Sequence, residues 1–264
     1  MTLPVPSRAA LVWVEGPDAE GFLNGLLSND VAAVAPGGWS PGLLLDERGR
    51  IRAEVRVARD TADAFTLVLD PAAADDVVAT FERLHFTEDL EVIGPEEVQS
   101  LVVWGEAPAD AEVVVGGPAP GSLEVVGDDA IARLTAGGVG APDDLEAARI
   151  SARVPRVGVD TGERTLVQEA GLEGSHVSFT KGCYLGQETV SRAQHRGGVR
   201  RTLRLLRAQT GLSVGAPVAY DGAAVGEVTS VAASPEGSVA LAMLRTTVPD
   251  GADVDAGGVA ARVG

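Results

Sequence analysis

The chain has 264 residues, a formal net charge of −17 and one cysteine. This length allows one large or two ordinary domains, and the negative charge disfavours general nucleic-acid binding, which depends on basic surface. The sequence contains no run of 18 apolar residues and its N-terminus lacks a signal-peptide pattern, so we expect no membrane span. A lone cysteine cannot form an internal disulfide, which favours a reducing, cytoplasmic location.

The N-terminal part of the chain predicts strands and helices in an α+β order. Gly16-Pro17-Asp18 starts a helix with proline in its first turn, and Asp70-Pro71 caps a second one. Arg48-Gly49 supplies a turn between two strands. The predicted strands span residues 9–15, 42–46, 50–59, 64–69 and 89–93.

The middle of the chain predicts shorter elements. The strands are expected at 98–104, 111–115 and 177–179, with a hairpin over 123–135. A helix is expected from Pro142 to about Ser151 and another from Cys183 to about His195.

After Gly197-Gly198 the pattern changes to short strands at about ten-residue spacing, which is typical of a small β-barrel or sandwich. We therefore predict two domains, residues 1–200 (with a possible subdivision near 95) and residues 201–264. The strands of the second domain are expected at 202–208, 216–220, 224–232, 238–245 and 258–263.

The only lysine of the chain, Lys181, lies two residues from the only cysteine, Cys183. If a helix begins at Cys183, its dipole and the neighbouring ammonium both lower the pKa of the thiol, so a reactive sulfur is reasonable. The alternative is a buried cysteine that serves as a small apolar side chain. Gln187 would share a helix face with Cys183, and Glu188 with Arg192 would form an exposed ion pair.

The segment from Lys181 to Arg207 holds seven basic residues and one acidic residue. Two interpretations are open. The arginines pair with acidic residues elsewhere in the chain, or they form a local anion site on an acidic protein.

Other kinds of chemistry find little support in the sequence. One cysteine and three separated histidines cannot build a zinc or iron–sulfur site, so we expect no metal. Glycine-rich phosphate loops are missing from the sequence.

Residues 181–188, Lys-Gly-Cys-Tyr-Leu-Gly-Gln-Glu, followed by Arg192, resemble the K-G-C-Y-x-G-Q-E-x-x-x-R signature of the YgfZ family. These are folate-binding relatives of the glycine-cleavage T-protein, an aminomethyltransferase. Further similar segments follow the family order, at residues 16–25, 28–31, 46–51, 149–160 and 168–169.

The resemblance implies an α+β fold: a T-protein-like folate-binding region with antiparallel sheets and flanking helices around a central cavity, plus a C-terminal β-barrel. It implies tetrahydrofolate as the cofactor and a role in assembly or repair of iron–sulfur clusters in client enzymes. The expected partners are folate and iron–sulfur client or assembly proteins, with no nucleic acid and no membrane.

The resemblance also assigns site residues. Lys181 and Cys183 form the reactive element, and Glu169 matches the glutamate that contacts the pterin in the T-protein; a carboxylate suits the amino and ring N–H groups of a pterin. The remaining cofactor-binding candidates are Tyr184, Gln187, Arg192, Asn29 and Asp30.

The chain departs from the family pattern at Leu26, Arg153 and Val167. It also shows no counterpart of the T-protein's catalytic aspartate, since the corresponding strand reads Leu-Val-Leu-Asp-Pro at 67–71. Whether the protein is an enzyme is therefore open. The alternatives are a folate-dependent aminomethyltransferase or other one-carbon transferase, and a non-catalytic module for another anionic ligand.

Overall fold

The computed structural model describes residues 3–196 and 198–264. Within these ranges the N-terminal part is an antiparallel sheet in the order β2-β3-β4-β1-β5-β7-β6. Its strands are β1 (Val5–Glu15), β2 (Trp39–Leu45), β3 (Ile51–Arg59), β4 (Ala64–Leu69), β5 (Glu91–Trp104), β6 (Val113–Gly116) and β7 (Ser122–Val126). The helices are α1 (Ala19–Leu26), α2 (Pro71–Leu84), α3 (Asp128–Thr135), α4 (Pro142–Ser151), α5 (Val167–Ala170), α6 (Glu173–His176) and α7 (Gln187–Arg196).

The two faces of β3 have different surroundings, because successive side chains of a strand point to opposite sides. Ala53, Val55 and Val57 are buried in the core that α1 and α2 cover. Glu54 and Arg56 therefore lie on the opposite face of the sheet. Burial of the apolar residues fixes the register of β3, and this register places the charged residues on the inner face of the sheet.

The sheet curls so that its last strand, β6, returns over β2 and β3. Gly116 lies against the ring of Trp39, where a Cβ atom would come within 2.2 Å of a ring carbon. The Nη1 of Arg56 donates to the carbonyl oxygen of Gly116 at 3.1 Å. Glu54 and Arg56 thus face the inside of a curved sheet.

The strands at 42–46, 50–59 and 64–69 and the helix from Pro142 are confirmed as β2, β3, β4 and α4. The predicted hairpin over 123–135 is wrong: β7 is followed by helix α3. Gly127, with φ at 131°, ends the strand and allows the chain to turn into a helix that starts with two aspartates.

The strands expected at 89–93 and 98–104 are one strand, β5, paired along its length with β1. Gly94-Pro95 lies between the two expected strands, and the register with β1 shifts between Leu11 and Trp13 at this point. Gly94 has φ at 109°, and a Cβ atom there would lie 2.7 Å from the carbonyl oxygen of Leu11. The pair is therefore a bulge in a continuous strand.

The C-terminal part is a closed barrel in the order β10-β11-β8-β13-β12-β9. The expected strands are confirmed, with an additional one, β12. They are β8 (Arg201–Ala208), β9 (Pro217–Tyr220), β10 (Ala223–Ser234), β11 (Gly237–Arg245), β12 (Asp253–Ala256) and β13 (Val259–Val263). The division into domains at 200, with a second one near 95, stays a prediction.

The barrel is joined to the rest of the chain by buried groups on α4. Ile150 packs against Leu203 and Leu241 on the outside of the barrel. Arg149 donates to the carboxylate of Asp160 at 2.7 Å and to the hydroxyl of Ser230 in β10 at 2.8 Å. These contacts fix the orientation of the barrel relative to α4.

None of the helices within the described ranges is long and apolar enough to cross a membrane.

Candidate functional site

The segment that contains Lys181 and Cys183 precedes helix α7 rather than starting it. The prediction of a helix from Cys183 is wrong, since α7 begins at Gln187. Gly186 has φ at 81°, and a Cβ atom there would lie 2.5 Å from the carbonyl oxygen of Asp46 in the β2–β3 turn. This left-handed residue breaks the helix and presses the segment against that turn. Cys183 is therefore not at a helix N-terminus, and it does not share a helix face with Gln187.

The short strand expected at 177–179 is also wrong, because those residues lie in irregular structure. The N–H of Ser178 donates to the carbonyl oxygen of Ser28 at 3.0 Å. This single hydrogen bond connects the segment to the loop after α1, but it does not pair the segment with a strand.

The ammonium of Lys181 is held at the C-terminal end of α1. Its Nζ lies 2.6 Å from the carbonyl oxygen of Asn24, 2.7 Å from those of Leu27 and Asn29, and 3.0 Å from the Oδ1 of Asn24. An ammonium has three protons, so these acceptors use all of them. The carbonyl groups at the end of a helix lack internal partners and carry partial negative charge, which suits a cation.

The surroundings of Lys181 also change its pKa. Burial lowers the pKa of Lys181 to about 8, while the charge of Asp30 acts in the opposite direction. The Nζ lies 5.2 Å from the centre of the Tyr184 ring, within the range of a cation–π contact. Lys181 thus links the segment to α1 by its charge and cannot offer a free proton donor to a neighbouring thiol.

Tyr184 anchors the segment in an apolar cluster. The residue is 6% exposed and belongs to a cluster that includes Leu43, Leu45, Val167 and Val190. Burial raises the pKa of Tyr184 to about 12, and its hydroxyl has no hydrogen-bond partner within the described part of the chain. Tyr184 is therefore a buried support rather than an exposed ring.

Cys183 lies between these anchors and is exposed. The neighbouring Gly182 is also exposed, with open space where a Cβ atom would be. The interpretation of Cys183 as a buried apolar side chain is therefore wrong. The segment is fastened at Lys181, Tyr184 and Gly186, and it presents the thiol to solvent between them.

The carboxylate of Glu169, the expected pterin contact, is bound to the barrel. It accepts hydrogen bonds from Nε and Nη2 of Arg201 at 3.0 and 3.2 Å, and from the N–H of Leu166 at 3.0 Å. Glu169 is 8% exposed. A bidentate ion pair of this kind is stronger than a single neutral hydrogen bond. A ligand at Glu169 must therefore compete with Arg201.

The remaining candidates lie at two places. Asn29 donates to the carbonyl oxygen of Pro41 at 2.7 Å, and its Oδ1 accepts from the N–H of Asp30 at 3.0 Å. Both residues thus shape the loop that holds Lys181. Gln187 starts α7, and Arg192 is exposed and paired with Glu188 at 2.5 Å. The structure brings Lys181, Tyr184, Asn29 and Asp30 together and leaves Arg192 in the expected exposed ion pair.

Three of the six arginines of the 181–207 segment contact acidic residues within the described part of the chain. Arg192 contacts Glu188 inside the segment, whereas Arg201 contacts Glu169 and Arg204 contacts Asp250. The last two pairs agree with the first of the two interpretations, in which the arginines find acidic partners elsewhere in the chain, and the second interpretation stays open.

A second group of charges lies inside the curved sheet, around a cavity of about 120 Å³. The pattern of β3 held a signal for it, an alternation of charged and apolar side chains, which the sequence analysis did not use. Arg56 forms an ion pair with Glu124, which also accepts from the hydroxyl of Ser100 at 2.6 Å. The charged residues that line the cavity are Arg8, Glu54, Arg56, Asp70, Glu124 and Arg156.

Glu54 has an unusual partner in this cavity. Its Oε1 lies 3.1 Å from Nε2 of His176, and its side chain is 35% exposed. Burial raises the pKa of Glu54, but the hydrogen bond to His176 and the charge of Arg56 outweigh it, so the pKa lies below its ordinary value. Glu54 is thus an ionised carboxylate that faces the cavity.

Within residues 3–196 and 198–264, no three acidic, cysteine or histidine side chains lie close enough together to hold a metal ion.

Several known proteins are similar to this chain. Residues 7–113 match the family model described as GCVT N-terminal domain. An uncharacterized protein of Haemophilus influenzae is 30% identical over 214 residues, which cover 76% of this chain and 71% of the relative. The iron-sulfur cluster assembly factor IBA57 homolog, mitochondrial, of Phaeosphaeria nodorum is 26% identical over 234 residues (79% and 55%). The tRNA-modifying protein YgfZ of Edwardsiella ictaluri is 29% identical over 228 residues (74% and 67%).

A solved structure shares the fold. The crystal structure of glycine cleavage system aminomethyltransferase T from Bartonella henselae superposes with a TM-score of 0.83 and 21% sequence identity. The match covers 99% of this chain and 85% of that one. The predicted α+β, T-protein-like fold with a C-terminal β-barrel is confirmed.

Proposed function

The chain belongs to the YgfZ family of T-protein-like proteins. On this premise we propose that it is a tetrahydrofolate-binding factor that supports assembly or repair of iron–sulfur clusters in client enzymes. In this proposal Cys183 provides the reactive thiol, and Lys181 holds the segment that presents it. The pterin ring of the folate lies in the central cavity of the curved sheet.

The observation that carries the proposal is the way in which the segment from Lys181 to Gln187 is fastened. Three of its residues are committed to the protein: the Lys181 ammonium to oxygens of residues 24–29, the Tyr184 ring to an apolar cluster, and Gly186 to the β2–β3 turn. Cys183 is left exposed on a fixed backbone. A thiol held in this way suits a reaction with a partner protein, because little conformational freedom is lost on contact.

The chemistry of the cavity suits a folate. Glu54 and Asp70 offer carboxylate oxygens to the amino and ring N–H groups of a pterin, and Arg8 and Arg156 offer guanidinium groups to carboxylates. A volume of about 120 Å³ is below that of most ligand pockets and accommodates a ring system rather than a whole folate. When bound, tetrahydrofolate supplies a carrier for a one-carbon group.

Two carboxylates compete for the role of pterin contact. Glu169 is the residue that the family resemblance indicates, but both of its oxygens are held by Arg201 and Leu166. Glu54 has one oxygen bound to His176 and faces the cavity. We propose that Glu54 contributes to binding alongside the candidates Glu169, Gln187, Asn29 and Asp30.

The names of relatives support the choice of clients. The relative from Phaeosphaeria nodorum is named an iron–sulfur cluster assembly factor, and that from Edwardsiella ictaluri a tRNA-modifying protein. This chain has a net charge of −17, which disfavours direct contact with RNA. We therefore propose a protein partner, with any effect on tRNA arising through an iron–sulfur enzyme.

Complementation tests the role of the thiol. Cys183→Ala and Cys183→Ser should fold normally and fail to restore iron–sulfur enzyme activity in a bacterial strain that lacks its own family member. Thr180→Ala, an exposed change immediately before the segment, should restore it fully. Full restoration by both cysteine variants would remove the thiol from the proposal.

Calorimetric titration with tetrahydrofolate tests the ligand. Wild-type protein should bind, and Glu54→Gln and Glu169→Gln show which carboxylate contributes. A flat titration of the wild type at millimolar ligand would instead favour the module for another anionic ligand.

One observation favours the one-carbon transferase as a second candidate. Although the sequence shows no counterpart of the T-protein's catalytic aspartate, the cavity contains the carboxylates of Glu54 and Asp70, and a positioned carboxylate is what acid–base chemistry on a folate requires. Turnover with tetrahydrofolate and an aminomethyl or N-methyl donor, lost in Glu54→Gln, would establish this activity. Binding without turnover for any donor would leave the first proposal.

A further inference from the structure

A chain of hydrogen bonds connects the central cavity with the protein surface. It begins at Glu54 in the cavity and passes to the buried ring of His176, whose Nε2 lies 3.1 Å from the Oε1 of Glu54. The other ring nitrogen, Nδ1, lies 2.7 Å from the hydroxyl of Ser175, which is exposed. None of the three residues has a role predicted from the sequence.

The protonation of Glu54 allows the hydrogen atoms in this chain to be assigned. An ionised carboxylate only accepts hydrogen bonds, so the proton between Glu54 and His176 belongs to Nε2. In the neutral ring the other nitrogen, Nδ1, then accepts, and the hydroxyl of Ser175 is the donor. Every bond in the chain is therefore directed from the surface towards the cavity.

We propose that Ser175, His176 and Glu54 form a proton path between solvent and the central cavity, which operates when a ligand fills the cavity; this inference rests on the proposed function. The Ser175 hydroxyl proton moves to Nδ1, the Nε2 proton moves to Oε1 of Glu54, and a hydronium ion in solvent restores the Ser175 hydroxyl and becomes water. The net result is one proton transferred from solvent to Glu54, with the ring of His176 converted from the Nε2–H to the Nδ1–H tautomer. Reversal of the same steps carries a proton outwards.

The proton path becomes necessary when a ligand occupies the cavity. In the open cavity the side chain of Glu54 is 35% exposed, so water reaches it directly. A ligand in the cavity covers that side, and the remaining contact of Glu54 with a group that leads to the surface is His176. Glu54 can then act as an acid or base on the ligand while water is excluded.

The other charges around Glu54 do not provide such a path. Arg56, on the same strand, and Glu124, on β7, are paired with each other. Asp70 accepts from the N–H of Ala72 at the start of α2. The basic groups that share the cavity, Arg8 on β1 and Arg156 in the segment after α4, contact Glu97 and Glu146.

The test follows protonation of Glu54 after a rapid pH drop by time-resolved infrared spectroscopy, with Glu54→Gln used to identify its carboxyl band. In the tetrahydrofolate complex, Ser175→Ala should slow the appearance of that band by about tenfold or more. The matched control Ser151→Ala, another exposed serine, should not change the rate. In the ligand-free protein both variants should match the wild type, because water enters the open cavity. Equal rates for wild type and Ser175→Ala in the complex would overturn the proposal.

A second measurement separates failure of this inference from failure of the proposed function. In ligand-free protein, His176→Leu should raise the pKa of Glu54, because the hydrogen bond that opposes the effect of burial is then lost. If tetrahydrofolate does not bind, the proposed function fails, and this titration alone judges the coupling. An unchanged midpoint for Glu54 would overturn the proton path whether or not the folate binds.

Discussion

Arg149 and Lys181 are cations that each join distant parts of the chain, and they are held in different ways. Arg149 is 2% exposed and contacts the carboxylates of Glu146 and Asp160. Burial opposes its charge, but these two carboxylates outweigh it and raise the pKa of Arg149. Lys181 contacts backbone carbonyl oxygens and the amide of Asn24, and burial lowers its pKa to about 8.

The charge of Arg149 is therefore permanent, whereas the charge of Lys181 titrates. A guanidinium paired with carboxylates is charged at any ordinary pH and fixes the barrel against α4. An ammonium among dipoles, with its pKa lowered by burial, loses its proton more readily than in the unfolded chain, and the neutral amine still has two N–H donors. The segment that presents Cys183 is thus attached through a group whose charge depends on pH.

The largest effect is expected for Arg149→Ala. The substitution leaves the carboxylate of Asp160, whose side chain is fully buried, without its charged partner. Breaking a buried pair in this way costs about 3–5 kcal/mol of the free energy of unfolding. Urea denaturation measures it, and a loss below about 1 kcal/mol, the range of an exposed pair, would contradict the permanent link.

A smaller effect is expected for Lys181→Met. The change leaves the carbonyl oxygens of Asn24, Leu27 and Asn29 without a donor, at a cost of about 1–3 kcal/mol. Hydrogen exchange should become faster at residues 24–29 and 178–186. The time course of Cys183 alkylation, single-exponential for a thiol on a fixed segment, should become multi-exponential. Lys181→Arg should not restore the segment, because a planar guanidinium cannot replace a compact ammonium among these acceptors. Wild-type exchange rates in Lys181→Met would show that the ammonium is dispensable.

The pH dependence of stability should distinguish the two cations. The pKa of Lys181 is about 8 in the folded protein against an ordinary value of 10.5, so the unfolded chain binds more protons between these values. Its contribution to the free energy of unfolding should therefore rise from about pH 8 to 10.5. The slope should disappear in Lys181→Met, and Arg149 should contribute none. Parallel pH profiles for the wild type and Lys181→Met would contradict the assigned shift.

The smallest effect is expected for the exposed pair of Arg192 and Glu188 on α7. Both side chains are more than half exposed, so Arg192→Ala should cost only a few tenths of a kcal/mol. Urea denaturation in low and high salt checks this, since screening should remove what little effect there is. A cost near that of Arg149→Ala would mean that exposure does not explain the difference between the pairs.

Local patterns in the sequence predicted much of the fold. The alternation of apolar residues in β3 and β4, the proline and aspartates at the start of α4, and the turns of the barrel act over a few residues. The expectation failed at Cys183, where the helical pattern continued but Gly186 adopts a left-handed conformation against the β2–β3 turn. The cause of that break lies about 140 residues away in the chain, so no local pattern contains it.

The sequence by itself determined most of the strands, the barrel and the presence of one lysine and one cysteine in a single short segment. Only the tertiary structure decided what those residues do: that Lys181 is bound to oxygens of residues 24–29, that Glu169 is bound to Arg201, and that Glu54 meets His176 beside a cavity. The physical reason is range. Periodicity and capping depend on neighbours along the chain, whereas the energy of a charge depends on the groups that folding brings within a few ångströms of it.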